Sequence, residues 1–199
     1  MITADDVRAL HTKYAPSPEA FDLIYTHCEI VSSIALQLAH RTGGLDEDLV
    51  RLGALVHDIG VYRLYGPDGR IPHGTYIRHG VVGAEILAAE GWPDALIRFC
   101  SCHTGVGITR ADIARQGLPI PPGDYVAGTP EERAVMYADK FHTKTQPPAF
   151  LSADTYAAEL LAKFGGEKAA AFAALRAEFG DPDLEGLRAR YPHAYRDLR

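Results

Sequence analysis

Five stretches of helical period in this sequence each carry a histidine or an aspartate on or beside their apolar stripe. A chain built that way has to fold so that these polar groups meet. His27 lies three residues after Ile24 and four before Val31. His57 follows Val50, Gly53 and Ala54 at helical spacing, small or apolar neighbours that leave room for something bulky, and Asp58 comes next. His79 is in register with Val82, Gly83 and Ile86, His103 with Leu96, Phe99 and Cys100, and Asp139 with Val135 and Met136. Burying such groups unpartnered costs roughly 2–7 kcal/mol apiece even for neutral ones. A shared metal centre removes the difficulty, because neutral imidazoles and carboxylates are ligands for divalent ions and a carboxylate has two oxygens with which to bridge a pair.

The rest of the chain reads as helices with no convincing alternating strand, so the expected fold class is all-α. Helices are expected near 3–13, from Pro18 to 41 before Gly43-Gly44, over 46–59 up to Gly60, over 77–90, from Trp92-Pro93-Asp94 to 103, and over 130–141. Alanine-rich helices over 152–164 and 166–179 follow, in a C-terminal helical region of about 152–191 expected to pack on the rest. Their stripe of Leu160, Leu161, Phe164, Phe172, Leu175 and Phe179 is expected to complete the core, with a dimer face as the alternative. Two long irregular segments, 61–78 and 117–129, carry Arg63, Arg70, Arg78 and several tyrosines, and are candidates to cover a site.

Length and composition bound the answer. At 199 residues and 47% hydrophobic the chain suits one compact domain, residues 1–199. It has no apolar run of membrane-spanning length, and its first ten residues are acidic and polar, so no membrane association and a cytoplasmic location are expected. Cys28, Cys100 and Cys102 are an odd number at spacings that suit neither a disulfide framework nor a paired zinc site. Cys100 falls on the same helical side as His103, where a small hydrophobe is the simpler reading. A net charge of −6 argues against binding nucleic acid polymers but leaves a small anionic substrate open, held by a few local cations.

The order His27, His57-Asp58, His79, His103, Asp139 resembles the H...HD...H...H...D signature of the HD superfamily, and HDIG at 57–60 is a frequent form of its central motif. The resemblance spans roughly residues 20–145. It implies a single-domain helical HD bundle in which His27, His57, Asp58 and Asp139 bind one metal, His79 and His103 bind a second, and Asp58 is shared. The extra histidine pair is similar to the dinuclear branch that includes the bacterial diadenosine tetraphosphate hydrolases. That implies two divalent ions, iron first and otherwise Mn, Zn, Co, Ni or Mg, and hydrolysis of a phosphoester or phosphoanhydride of a small nucleotide-type substrate by a metal-bound hydroxide. The sequence lacks the paired histidines and GYP motif of the cyclic-dinucleotide branch, which argues against cyclic di-GMP.

Asp58 is thereby a catalytic candidate. Lys140, next to the last ligand, Lys144 one turn beyond it, and Arg63 just past the HD motif are the candidates for holding phosphate, Lys140 and Arg63 also for catalysis. His142 is placed near the cluster, whereas His11, His40, His73 and His193 have no comparable placement and are assigned to the surface or the outer rim of the site. Two other readings stand beside hydrolysis: an HD-fold di-iron oxygenase resembling inositol or phosphonate oxygenases, which uses the same ligand order, and a catalytically silent nucleotide-sensing domain. A monomer or a homodimer would satisfy all three.

Overall fold

A computed structural model describes residues 2–72 and 74–198; His73 lies outside them. The described residues form a helical bundle, and the expected all-α class holds. Helices α1 (Ala4–Tyr14), α2 (Pro18–Thr42) and α3 (Glu47–Val56) begin as their sequences dictate. Thr3 and Asp6 form a reciprocal capping box, Ser17 caps the Pro18 start, and Asp46 accepts from the amides of Asp48 and Leu49. Helix α2 packs against α3 and α7 (Pro130–Ala138) and forms the spine of the bundle.

The expected third helix stops three residues early. α3 ends at Val56, His57 and Asp58 occupy the turn, and a 3-10 helix, Ile59–Leu64, continues the chain. The cause is a close backbone approach: a Cβ built on Gly60 would lie 2.1 Å from the His79 carbonyl and 2.3 Å from the Gly83 nitrogen. Only glycine lets the segment after the HD pair lie directly on α4 (His79–Ala89). On its other side α4 meets α5 (Asp94–Cys102) through Gly80 and Gly83, whose added Cβ atoms would stand 2.7 Å from the Cys100 carbonyl and 3.0 Å from its Cβ. The glycines of the sequence thus let these three elements approach more closely than any other side chain allows.

Two elements escaped the sequence reading. Helix α6 (Arg110–Gln116) has a Thr109/Asp112 capping box and ends at Gly117 in the left-handed conformation. A three-stranded sheet joins β1 (His142–Thr143), antiparallel β2 (Ala149–Leu151) and parallel β3 (Ala194–Arg196). These strands are two or three residues long, too short to show alternation. The expected 61–78 excursion is also partly ordered, because its ends are the 3-10 helices Ile59–Leu64 and Tyr76–Arg78.

The C-terminal helices α8 (Ala153–Phe164) and α9 (Gly166–Phe179) pack on the bundle through Leu160, Phe172, Leu175 and Phe179, in one cluster with Ile34, Leu38, Val135 and Tyr137. Each such side chain contributes roughly 1.5–3 kcal/mol of burial. Leu161 and Phe164, expected in the same stripe, are 54% and 42% exposed. Leu161 is turned roughly 100° from the buried Leu160, and Phe164 is the last residue of α8. A short α10 (Glu185–Arg190) precedes the last strand. Among the described residues no helix is long and apolar enough to cross a membrane.

Candidate metal centre

Four of the five ligand-bearing positions sit at helix ends, where the sequence reading had placed them inside helices. His57, His103 and Asp139 follow the last residue of α3, α5 and α7, and His79 is the first residue of α4. Only His27 lies within a helix. The arrangement has a chemical consequence, because the carbonyls near a helix C-terminus lack helical donors. His57 Nδ1 donates to the Ala54 carbonyl at 2.6 Å and His103 Nδ1 to that of Phe99 at 2.9 Å. His79 Nδ1 donates to Tyr76 at 2.7 Å. A carbonyl can only accept, so each neutral ring carries its proton on Nδ1 and turns the Nε2 lone pair inward.

Those lone pairs converge on Asp58, which is completely buried. Its Oδ2 lies 3.3 Å from both His27 Nε2 and His57 Nε2. Its Oδ1 lies 3.6 Å from His79 Nε2 and 3.5 Å from His103 Nε2. Asp139 Oδ1 closes the first group, 3.0 Å from His27 Nε2 and 3.6 Å from His57 Nε2. The result is two sets, His27/His57/Asp58/Asp139 and Asp58/His79/His103, each with its donor atoms within 4.8 Å of one another. Ligands bound to a common ion at about 2.0–2.2 Å stand roughly 3.0–3.6 Å apart at neighbouring positions. The donors of both sets lie close to that spacing. His57 Nε2 and both Asp58 oxygens, moreover, have no hydrogen bond of good geometry despite full burial. Unsatisfied buried groups of this kind are costly, and a divalent cation between them satisfies all three. The residues present therefore fit the metal that the donor chemistry implies.

The electrostatics follow from the crowding. Burial works to raise the Asp58 and Asp139 carboxyls, but cations overcome it, Lys144 and His57 for Asp58 and Lys140 for Asp139, and hold both well below the carboxylate range. Burial opposes the charged form of Lys144 as well, yet Asp58 and Tyr76 hold its ammonium well above the usual lysine value. Without an ion the Asp58 carboxylate likewise outweighs burial and holds His57 high, so a metal bound there would take the place of the proton on its Nε2. His79 is pushed down by burial to about 3 and His103 is lowered for the same reason, leaving both neutral and ready to ligate.

The three candidate phosphate-binding cations separate. Lys144 faces the centre: its Nζ abuts Asp58 Oδ2, lies 3.5 Å from His27 Nε2 and sits 5.5 Å over the Tyr76 ring. Lys140 is buried and pinned, donating to the His103 carbonyl at 3.0 Å and to Asp139 Oδ2 at 2.7 Å, so it holds one carboxylate oxygen while the other faces the histidines. Arg63 is not brought to the site. It is exposed and stacks on Tyr14, 5.2 Å from the ring centre, because the 3-10 turn after Asp58 rotates it outward. The centre opens into a cleft of about 1300 Å3 whose walls include Tyr65, Tyr76, Arg70, Tyr156, Lys163 and Arg196.

A family model described as the HD domain matches residues 24–144. The chain belongs to the HD domain family. MJ0778 of Methanocaldococcus jannaschii, an uncharacterized protein, is 41% identical over 127 residues, which are 61% of this chain and 68% of that relative. Two tRNA (cytidine(56)-2'-O)-methyltransferases, from Picrophilus torridus and Thermoplasma volcanium, are 38% identical over 62% and 60% of this chain. The chain spans only 32% of either. Among solved structures, the HD domain of the L. monocytogenes phosphodiesterase PgpH superposes with a TM-score of 0.55 at 16% identity, over 93% of this chain and 98% of that one. The same domain in complex with cyclic-di-AMP gives 0.56 at 17%, over 93% and 96%.

Two further residues at the centre went unnoticed in the sequence, Tyr76 under Lys144 and Thr104 with its Oγ1 3.5 Å from His79 Nε2, while His193, assigned to the surface or rim, stands at the rim beside His142. Thr104 is adjacent to a ligand and Tyr76 is three residues before one, so local spacing could have raised them. His193 reaches the site from 51 residues beyond His142, a pairing no local pattern reveals. His142 is next to His27 as expected, with Nδ1 atoms 2.9 Å apart. His11, assigned to the surface or rim, is instead a core residue, bonded to Tyr62 Oη and the Leu55 carbonyl and lowered by burial to about 4. His40 is exposed as expected.

Proposed function

We propose that this chain is a metal-dependent phosphohydrolase that cleaves a phosphoester or phosphoanhydride of a small, nucleotide-type substrate in the cleft above a dinuclear centre. The observation that carries the reading is the placement of Asp58, one oxygen toward His27 and His57 and the other toward His79 and His103. Two divalent ions bound there, iron first, would supply a water of lowered pKa and neutralise charge on the phosphoryl oxygens. Asp58 and Asp139 bring the negative charge that holds such ions, and His57, His79 and His103 present lone pairs already fixed by backbone carbonyls. Lys144 is the cation free to turn from Asp58 onto a phosphoryl oxygen, and the tyrosines of the cleft offer faces for a base. Lys140 holds Asp139 in place instead of touching substrate. A net charge of −6 favours a small phosphorylated molecule over the tRNA named for two relatives. The three cysteines are free and buried, consistent with a cytoplasmic protein.

The test is anaerobic turnover by protein loaded with iron, manganese or zinc in turn. The panel contains dinucleoside polyphosphates, nucleoside mono- and triphosphates, guanosine tetraphosphate and cyclic-di-AMP. Release of a phosphorylated product without oxygen supports the reading. Oxygen uptake with a mixed-valent iron signal, and no anaerobic turnover, establishes the oxygenase alternative, while tight binding of a nucleotide with no turnover establishes the sensing alternative.

A further inference from the structure

His57, His79 and His103 each have a backbone carbonyl on Nδ1, whereas His27 has none; its Nδ1 faces another imidazole. His142 Nδ1 stands 2.9 Å from it, and His142 Nε2 stands 2.9 Å from His193 Nδ1. The three rings are stacked, with centroids 5.2 and 5.1 Å apart and planes 28° and 27° from parallel, and Phe150 packs edge-on against His142 at 4.9 Å. His27 and His142 are fully and almost fully buried, which shelters the contact between their Nδ1 atoms from water. The small sheet makes this geometry: β1 begins at His142, β2 carries Phe150, and parallel β3 begins one residue after His193.

An imidazole neighbour differs from a carbonyl in that it can donate as well as accept, so it fixes a tautomer only if it is itself fixed. For His27 to present Nε2 as a lone pair, its proton has to be on Nδ1, donated to His142 Nδ1. His142 must then carry its own proton on Nε2, donated to His193 Nδ1. Only one assignment of protons satisfies both contacts and leaves His27 Nε2 free. We infer that His142 and His193 are positioning residues for the metal centre, and that the C-terminal segment carrying His193, beyond residues 24–144 matched by the family model, sets the tautomer and tilt of His27. The inference rests on the dinuclear reading and adds to it a dependence confined to one of the two ion sites. The histidines of the set Asp58/His79/His103 have their own carbonyl anchors, and that set meets the stack only through the shared Asp58, 3.3 Å from His27 Nε2.

The test is titration of the full-length metal-free protein with cobalt(II), followed by its visible ligand-field spectrum and by competition with a chelator. His142→Leu removes the acceptor and keeps the bulk. His142→Asn places an amide oxygen near the Nδ1 position. His193→Leu alters only the partly exposed outer ring. Outer partners of metal-bound histidines are worth about 10–100-fold in affinity. His142→Leu is expected to weaken one class of cobalt site by that factor and leave the other unchanged; His142→Asn is expected to restore most of the loss, and His193→Leu to weaken the same class by less. Wild-type affinity in both Leu variants, equal weakening of both classes, or failure of His142→Asn to restore binding overturns the inference while the centre stands. Should His142→Leu fail to fold, His193→Leu and His142→Asn decide the matter by the same criteria. A wild-type protein that binds no cobalt overturns the metal reading itself, and the inference with it.

Discussion

Asp58 and Asp112 are both buried carboxylates, 0% and 1% exposed, and they are treated in opposite ways by the fold. Asp112 is saturated by protein: its Oδ2 accepts from the Thr109 amide and hydroxyl at 2.9 Å each and from Lys168 at 2.6 Å, and its Oδ1 accepts from Arg115. Asp58 has four imidazole nitrogens within 3.6 Å, those of His79 and His103 being lone pairs of neutral rings, and its ammonium partner, Lys144, stands at the mouth of a cleft. A carboxylate that serves the fold is given donors by the fold. One surrounded mainly by acceptors is held for a cation the chain does not itself contain.

Exchanging the two roles by mutation is the way to break that comparison. Asp58→Ala is expected to have the largest effect, lowering phosphoester turnover on the order of 10⁴-fold. In the metal-free protein it also leaves the buried Lys144 ammonium without its carboxylate, so the comparison is read from bound metal and turnover and not from the melting temperature. Gly60→Ala should come next. The new Cβ has to push α4 and His79 away from Asp58, costing roughly 3 kcal/mol in chemical denaturation, and the Asp58/His79/His103 set should lose metal affinity before the other set does. Lys144→Met is expected to lower kcat/KM about 100-fold with metal content retained, which separates substrate charge from metal charge.

Asp112→Ala should do the reverse of Asp58→Ala. It costs about 2 kcal/mol of stability, discounted because Arg115 is half exposed, with no change in metal content or turnover. The same pair of proteins gives the smallest and most specific effect, with pH. Burial opposes the Asp112 carboxylate, but Lys168 and Thr109 outweigh it and depress its pKa in the folded state. A depressed carboxyl contributes stability that is complete above the unfolded value of about 3.9 and is lost as pH falls toward the folded one. The stability difference between wild type and Asp112→Ala is therefore constant from pH 7 to 5 and shrinks below pH 4. A difference that grows on acidification contradicts the assignment.

Much of the centre was legible because ligand positions are repeated against a helical period. His27 with Ile24 and Val31, or His103 with Phe99 and Cys100, can be placed on an inner face from spacing alone. Spacing could not show that His57, His103 and Asp139 end their helices. That depends on where α3, α5 and α7 stop, which for α3 is decided by the contact of Gly60 with His79 and Gly83 across the bundle. Arg63 was misplaced because 61–78 reads as an irregular excursion over the site, whereas its start is a 3-10 helix that turns Arg63 outward onto Tyr14. Spacing could not tie His193 to His142 because its approach depends on pairing between strands of three residues, separated by three helices. Local periodicity reports which face a residue occupies. It carries no information on which distant segment covers that face.

The central claim is that Asp58 is shared between two ion sites, and metal content tests it most directly. Wild type and Asp58→Ala are stripped, reloaded with manganese under identical conditions, freed of excess and assayed for bound metal per chain by mass spectrometry. The account predicts two ions in wild type and the loss of at least one, with collapse toward none, in Asp58→Ala. Equal metal content in the two proteins would contradict it.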